Sequence, residues 1–256
     1  MLERAPRHAP TWLTAGRTTD DVLGLLKTGK EAEVFLVERR SADGSCRALL
    51  VHKRYRPWKV GHKGELQAGG FSKARTFTSD QRYQDGRGFA SSRDRRAVAG
   101  KTSYGRQVSA ARWSEHEVAS LLQAQAAGVT VPYLVEPTED GFLMELVGDE
   151  DGAAPRLVNA RLDGLQLASA HAQLRDELVL LTRAGLVHAD LSPYNVLWWR
   201  DRLWLIDLPQ AVDLALNPHA LDLLHHDVTT MATWFTRQGV PIDGEAWFAE
   251  LLAETF

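Results

Sequence analysis

The stretch that decides the fold reads LVHADLSPYNVL at residues 186–197 and, after a short gap, LWLID at residues 203–207. Apolar residues flank the polar ones on both sides, a pattern that predicts short buried strands separated by a loop. These strands would present Asp190 and Asn195 from the loop and Asp207 from a strand end. We therefore predict that the three polar side chains face one common site.

The three side chains are of the types that phosphoryl transfer requires. An aspartate must orient and deprotonate the attacking hydroxyl group, and hard oxygen ligands must hold the magnesium ion that neutralises the phosphates. The spacing of Asn195 and Asp207 from Asp190 is that of a kinase catalytic loop and its metal-binding aspartate. A lone Asp or Asn in a loop is usually a turn former, but this combination favours Asp190 and Asn195 as catalytic residues, with Asn195 and Asp207 as metal ligands. His188 is interpreted as a structural residue that hydrogen-bonds the backbone or Asp207.

The overall composition indicates a globular protein and excludes several other classes. With 256 residues, 44% of them hydrophobic and 25% charged, the chain is neither disordered nor fibrous. The single cysteine, Cys46, excludes an internal disulfide and a cysteine-based zinc site. No apolar run reaches the roughly 18 residues that a membrane span needs, and no signal peptide is recognisable. We expect a cytoplasmic protein that does not associate with a membrane.

The first half of the chain predicts a small β-rich N-lobe at residues 21–148, preceded by a leader at residues 1–20. An Asp-Gly dipeptide at residues 43–44 predicts a hairpin turn between strands at 34–38 and 47–55. The remaining expectations are a basic, flexible or partly helical insertion at about 58–112, a helix at 113–127 ended by Gly128, and strands at 129–135 and 141–147.

The second half predicts a helical C-lobe at residues 149–256. An acidic, glycine-containing connector at 148–156 marks the boundary between the lobes. Residues 169–184 have the 3.6-residue apolar period of an amphipathic helix, with Gly185 as its stop, and residues 240–256 are expected to form a terminal helix. This order of elements predicts an α+β, bilobal, protein-kinase-like fold with a shortened C-lobe.

Phosphoryl transfer also needs a lysine that holds the phosphates, on an N-lobe strand ahead of the helix. Lys53 satisfies this position, while Arg54 and Lys30 are nearby alternatives and a plain surface lysine is the remaining reading. The acidic partner should come from the following helix, where Glu115 and Glu117 lie two residues apart and cannot both face the lysine. We favour Glu117, and we expect Lys53 to act in both catalysis and nucleotide binding.

The net charge of -3 conceals an uneven distribution along the chain. Residues 53–112 contain 15 Lys and Arg against 4 Asp and Glu, whereas residues 113–256 contain 7 against 22. A basic segment that faces polyphosphate or RNA would explain the difference, and so would a solvated charged loop. Both readings stay open.

Five motifs are informative in combination: GKEAEVF at 29–35, WSEHE at 113–117, MELVG at 144–148 with APRL at 154–157, HADLSPYN at 188–195 and IDLPQAV at 206–212. Together they resemble the RIO family of atypical serine/threonine protein kinases, over roughly residues 22–230. The most specific part is the Gly-Lys-Glu-Ala segment joined to the His-Ala-Asp-Leu-Ser loop. The resemblance implies a kinase that uses ATP and Mg²⁺ (or Mn²⁺) to phosphorylate an unknown protein substrate and itself.

Carried over to this sequence, the resemblance implies Lys53 as the ATP lysine and Glu117 as its partner. It implies Asp190 as the catalytic aspartate and Asn195 and Asp207 as metal ligands. It also implies that residues Met144, Glu145 and Leu146 form the hinge that holds adenine, and that Lys30 meets phosphate together with the surrounding backbone amides.

The family resemblance also sets expectations about segments outside the catalytic loop. It implies a bilobal kinase without the activation segment of ordinary kinases, and the sequence after Asp207 contains no Ala-Pro-Glu. Residues 1–20 are too few for a winged-helix domain, so a bacterial-type member without that domain is expected. The basic segment corresponds to the family's flexible loop, where the candidate autophosphorylation sites are Ser72, Ser79, Ser91, Ser92 and Ser103.

Two other classes of function stay open. One is an ATPase or nucleotide-gated assembly factor that binds ribosomal RNA or a pre-ribosomal particle through the basic segment. The other is a small-molecule kinase resembling aminoglycoside phosphotransferases, which share a His-x-Asp-x-x-x-x-Asn loop. The Gly-Lys-Glu-Ala segment and Ser192 count against the second alternative.

Overall fold

The computed structural model describes residues 4–5, 7–29, 32–55 and 103–255 of the chain. Its main sheet has five antiparallel strands in the order β1-β2-β3-β5-β4. The strands are β1 (Thr18–Thr28), β2 (Ala32–Ser41), β3 (Arg47–Tyr55), β4 (Leu134–Pro137) and β5 (Gly141–Glu145). This sheet and the mainly helical region after it confirm the predicted α+β, bilobal, kinase-like fold.

The β2–β3 hairpin confirms the turn that the Asp-Gly dipeptide predicted. Gly44 has a φ of 71°, and its N–H donates to the carbonyl oxygen of Ser41 at 2.9 Å. A left-handed residue at this position is tolerated because glycine has no Cβ. The register that this turn sets pairs Val34 with Lys53, so Lys53 lies near the end of β3.

The segment that the sequence predicted as a leader is packed against the sheet where the structure describes it. Residues Thr11–Thr14 form the short helix α1, and β1 already begins at Thr18. Leu13 is only 2% exposed, and its carbonyl oxygen accepts a hydrogen bond from the Arg39 guanidinium at 2.8 Å. A single apolar anchor among charges and prolines gives no periodic signal, so this packing could not be read from the sequence.

Helix α2 (Ser103–Ala126) begins earlier than the predicted 113, and Gly128 follows it with a φ of 79°, as a C-terminal stop does. Several good helix formers precede residue 113, among them Arg106, Gln107, Ala110 and Ala111, so the helix includes the end of the insertion that was predicted to be flexible or partly helical. The rest of the predicted insertion, and with it the candidate sites Ser72, Ser79, Ser91 and Ser92, lies outside the described residues.

The strand predicted at 129–135 is wrong in its first part, since β4 begins only at Leu134. The reason is a competing partner for the backbone. The N–H of Thr130 donates to the Glu177 carboxylate at 2.7 Å, and the Thr130 hydroxyl group donates to the same carboxylate at 2.7 Å. A side chain therefore satisfies a backbone group that a strand would have used for its ladder.

The helices of the C-terminal region pack around one core, in which the predicted apolar face of Leu174, Leu178 and Leu181 is fully buried. The first of them starts before the predicted residue 169 because Asp163 and Gln166 form a capping box ahead of it. None of the helices in the described ranges is both long and apolar enough to cross a membrane. The three helices of the C-terminal region are α3 (Gly164–Arg183), α4 (Ala220–Arg237) and α5 (Gly244–Thr255).

Short strand pairs hold the loop that carries the predicted catalytic residues. The hairpin β6 (Gly148–Asp149) and β7 (Gly152–Ala153) occupies the predicted connector. Beyond α3, β8 (Leu186–Val187) pairs with β11 (Val212–Asp213), and β9 (Val196–Trp199) pairs with β10 (Arg202–Leu205). The loop at 188–195 therefore leaves one pair and enters the other, which fixes both of its ends.

Replacing Gly141 with alanine is expected to destabilise the fold by about 1–3 kcal/mol, because a Cβ there would lie 1.9 Å from the carbonyl oxygen of Lys53. Chemical denaturation measures the loss. Gly24→Ala is the matched control, since Gly24 also lies in a strand of this sheet and a Cβ there meets nothing within 4 Å. Equal stability of the two variants would contradict the close approach of β5 to β3.

Candidate active site

Lys53 lies on β3 with its ammonium group between two carboxylates. Its Nζ donates to Glu117 Oε1 at 2.7 Å and to Asp207 Oδ1 at 2.6 Å. Lys53 is 8% exposed and Glu117, on α2, is 4% exposed, so both charges are removed from water. Three elements that are distant in sequence, namely β3, α2 and the segment after β10, therefore meet at one ammonium group.

The Lys53 ammonium group and the Asp207 carboxylate each stabilise the charged form of the other. Burial alone would lower the pKa of Lys53, but the carboxylates of Asp207 and Glu117 raise it above its usual value. Burial alone would raise the pKa of Asp207, but the Lys53 ammonium group holds it below its usual value. Lys53 is consequently protonated and Asp207 ionised at neutral pH.

The alternatives considered for this lysine and its partner lie elsewhere. Glu115 is exposed, while Glu117 faces the sheet. Arg54 donates to Asp140 at 2.5 Å, on the side of the sheet away from Glu117, and Lys30 lies outside the described residues. The structure adds one residue that the sequence did not suggest: the Tyr55 hydroxyl group donates to Glu117 Oε2.

Asp190 and Asn195 form a hydrogen-bonded pair within the loop. The side-chain amide of Asn195 donates to the Asp190 carbonyl oxygen at 2.9 Å and to Asp190 Oδ2 at 3.2 Å. The N–H of Ile206 donates to the Asn195 carbonyl oxygen at 3.0 Å, which ties the loop to the residue next to Asp207. The pair therefore fixes the direction of the Asp190 carboxylate relative to Asp207.

Two residues of the site have an unfavourable backbone conformation, one in this loop and one after β10. Ala189 has a φ of 65° and Asp207 a φ of 69°, although neither is a glycine. Such residues persist only where surrounding contacts impose them, and they concentrate at functional sites. On α4 the fully buried Asp227 accepts hydrogen bonds from the N–H groups of Ala189 at 2.7 Å and Leu191 at 2.8 Å. These two bonds hold the loop on either side of Asp190.

Asp227 was missed at the sequence level, although the sequence does contain a signal for it. It stands on the apolar face of α4, with Leu223 and Leu224 on the preceding turn and Met231 on the next, all of them buried. A carboxylate on an apolar helical face needs a buried partner. The sequence could not say which backbone groups would supply it.

His188 has the structural role that the sequence predicted. It is fully buried, and its Nε2 hydrogen-bonds the carbonyl oxygen of Ile206 at 3.1 Å. Burial lowers the pKa of His188, so the ring is neutral and donates this bond. The imidazole therefore ties the loop to the residue that follows β10.

A cavity of about 520 Å³ opens beside these residues, within the size range of small-molecule sites. Its wall is largely apolar and includes the predicted hinge residues Met144, Glu145 and Leu146. Lys53, Asp190 and Asp207 line the same cavity. An apolar wall beside a cationic and anionic cluster suits a ligand with a flat base and a metal-bound polyphosphate.

The donor set fits a magnesium ion that is shared with a ligand. Among the described residues, no group of three or more His, Cys, Asp or Glu side chains could hold a metal by itself. Mg²⁺ is usually bound by one or two side chains together with phosphate oxygens, and Asn195 and Asp207 are suitable side chains. Gln210 also lines the cavity, and its buried Oε1 atom has no hydrogen-bond partner among the described residues.

The fold and the site together are those of a bilobal, kinase-like protein, and comparisons with known proteins agree. Residues 73–246 match the family model described as the RIO domain. The RIO-type serine/threonine-protein kinase Rio1 of Haloferax volcanii is 34% identical over 226 residues, covering 88% of this chain and 67% of Rio1. Serine/threonine-protein kinase RIO1 of Caenorhabditis elegans is 30% identical over 220 residues, covering 86% of this chain and 38% of that protein.

Human serine/threonine-protein kinase RIO3 is 34% identical over 129 residues, which cover 50% of this chain and 25% of RIO3. The chain therefore belongs to the RIO family of serine/threonine-protein kinases. It spans about two thirds of the archaeal relative and a smaller share of the two animal relatives.

Proposed function

We propose that the chain is an ATP- and Mg²⁺-dependent serine/threonine protein kinase that phosphorylates a protein hydroxyl group, including its own. The observation that carries this proposal is the convergence of Lys53, Asp190 and Asp207 on one cavity with an apolar wall. The names of the relatives support the same activity.

Each residue has a role in the proposed reaction that follows from its contacts. Lys53, kept protonated and oriented by Glu117, would hold phosphate oxygens of ATP. Asp190 would accept the proton of the substrate hydroxyl group, and Asn195 would keep its carboxylate in position. Met144, Glu145 and Leu146 would bind adenine, and Lys30, outside the described residues, stays a predicted phosphate contact.

In the proposed step the hydroxyl oxygen attacks the γ-phosphorus of ATP. The bond from that phosphorus to the β–γ bridging oxygen breaks, ADP leaves, and the hydroxyl proton moves to Asp190. Mg²⁺ (or Mn²⁺), bound through Asn195 and Asp207, would neutralise charge on the phosphates. The protein substrate, the cytoplasmic location and the binding of ribosomal RNA or a pre-ribosomal particle through the basic segment stay predictions.

Incubation with γ-labelled ATP tests the proposal. We expect label on the protein in the presence of Mg²⁺ and none after chelation with EDTA, because the donor set needs a divalent cation to neutralise the phosphates. Free phosphate is measured in the same samples. Release of phosphate without labelled protein would favour the ATPase reading, and labelling that survives full chelation would contradict the assigned metal site.

A further inference from the structure

The N-terminal strap, which we define as residues 4–5 and 7–14 of the described chain, lies across the hinge. Its two arginines reach two different parts of the fold. Arg7 forms an ion pair with Glu145 of the hinge, and Arg4 forms one with Glu177 of α3. One short segment is thereby attached to both the sheet region and the helical region.

The contact between Arg7 and Glu145 is bidentate and partly buried. Arg7 Nη1 donates to Glu145 Oε2 at 2.9 Å, and Nη2 donates to Oε1 at 2.7 Å. The Arg7 side chain is 33% exposed and the Glu145 side chain is 15% exposed. The same guanidinium lies 4.3 Å from the ring centre of Trp204, on β10. A planar guanidinium can pair with a carboxylate and stack on an aromatic ring at once, whereas a lysine cannot.

Arg7 also reaches the helix that carries Glu117. The side-chain amide of Gln125, on α2, donates to the Arg7 carbonyl oxygen. Glu145 is bound from the other side as well, because its Oε2 accepts from the N–H of Tyr133 at 3.2 Å and its own N–H donates to the Tyr133 carbonyl oxygen at 2.9 Å. A single residue of the strap therefore contacts α2, the hinge and β10.

The strap is anchored upstream of Arg7 by Arg4. Arg4 donates to Thr130 Oγ1 at 2.9 Å and to the carboxylate of Glu177, which is only 2% exposed. Its carbonyl oxygen lies so close to Gly128 that a Cβ on that glycine would come within 2.2 Å of it. These contacts of Arg4 hold the strap against the fold upstream of Arg7.

We propose that Arg7 is a positioning residue, which fixes the hinge in the conformation that binds the adenine of ATP. The inference rests on the proposed function of Met144, Glu145 and Leu146. Without the guanidinium, Glu145 would keep a partly buried and poorly compensated negative charge in the wall of a cavity that receives a polyanion. The hinge backbone would also lose its tie to α2 and β10.

The test measures nucleotide affinity directly and beside turnover. Arg7→Ala is expected to raise both the Kd of a fluorescent ATP analogue and the KM for ATP about tenfold, while kcat changes by less than about threefold. The expected loss of affinity is smaller than that on breaking a fully buried ion pair, because the pair of Arg7 and Glu145 is only partly buried. Arg7→Lys should fall between Arg7→Ala and wild type, since it keeps the charge but loses the bidentate geometry. The matched control is Arg175→Ala, which removes an arginine–glutamate pair of α3 and α5 with an N–O distance of 2.5 Å.

The possible outcomes separate the two proposals. If the wild-type protein binds ATP and labels itself while Arg7→Ala does both equally well, the inference fails and the proposed function stands. A lower melting temperature with unchanged Kd would reduce Arg7 to a general structural contact and would also overturn the inference. A wild-type protein that binds no ATP would overturn the proposed function, and the inference with it.

Discussion

Asp190→Asn is expected to lower phosphoryl transfer by about 10²–10⁴-fold while leaving ATP affinity nearly unchanged. The asparagine keeps the size of the side chain and its hydrogen bond to Asn195, but it cannot accept the proton of the attacking hydroxyl group. Transfer is measured with γ-labelled ATP, and affinity with a fluorescent ATP analogue. The change isolates proton transfer from the geometry of the loop.

A matched control for this variant is Asp201→Asn, which removes a carboxylate from an exposed turn with the same loss of charge. The control should retain full transfer. If Asp190→Asn also retained it, Asp190 could not be the proton acceptor. If Asp190→Asn lost ATP binding as well, its main role would lie in holding the nucleotide.

Asp227→Asn is expected to lower transfer by about 10²-fold, although the Asp227 carboxylate binds the backbone of Ala189 and Leu191 and not a reacting side chain. An amide can accept from only one of the two backbone N–H groups that the carboxylate now serves, because its NH₂ group would face the other. The buried mismatch should also lower the free energy of unfolding by about 2–4 kcal/mol.

Asp222→Asn supplies the matched control for the helix, since it removes an exposed carboxylate from the same α4. It should leave transfer unchanged and lower the free energy of unfolding by less than about 1 kcal/mol, since Asp222 lies in the first turn of α4. Radiolabel transfer and urea denaturation measured on both variants separate the positioning effect from a general loss of helix stability. Full transfer by Asp227→Asn would show that the loop keeps its geometry without the two bonds.

The stability of the wild-type protein should depend on pH at this residue, because burial raises the pKa of Asp227 to about 7 from a normal value of 3.8, whereas the asparagine of the variant does not titrate. The folded state binds this proton more tightly than the unfolded state does. The corresponding stabilisation is complete below about pH 4 and is lost as the pH rises through about 7. The stability advantage of the wild type over Asp227→Asn should therefore be larger at pH 5 than at pH 8.

The elements that could be predicted from the sequence are those whose signal is local. The loop around Asp190 and Asn195 lies between short apolar strands, and the Asp-Gly turn sets the register that places Lys53. Helical periodicity indicated only that Glu115 and Glu117 could not both face the lysine, the family resemblance implied Glu117, and the structure places Glu117 against Lys53. Their roles in catalysis stay predictions until the variants are measured.

The features that could not be predicted are those in which one side chain satisfies groups far away in the sequence. Glu177 binds Thr130 and thereby shortens β4, and Asp227 binds the backbone beside Asp190. Arg7 looked like part of an irregular leader because its partners, Glu145 and Trp204, are more than a hundred residues away. Such pairings depend on the tertiary fold, and no periodicity reports them.

The bond between Asp227 and the loop also orders events during synthesis. Every residue proposed to act on ATP, from Lys30 to Asp207, is translated before α4, yet the acceptor that holds Ala189 and Leu191 comes later. Because a chain emerges from the ribosome N-terminus first, a nascent chain that ends before residue 227 has all the reacting groups and lacks their support. The capacity for transfer is therefore expected to appear only after α4 has been synthesised, although the active-site sequence is complete before it.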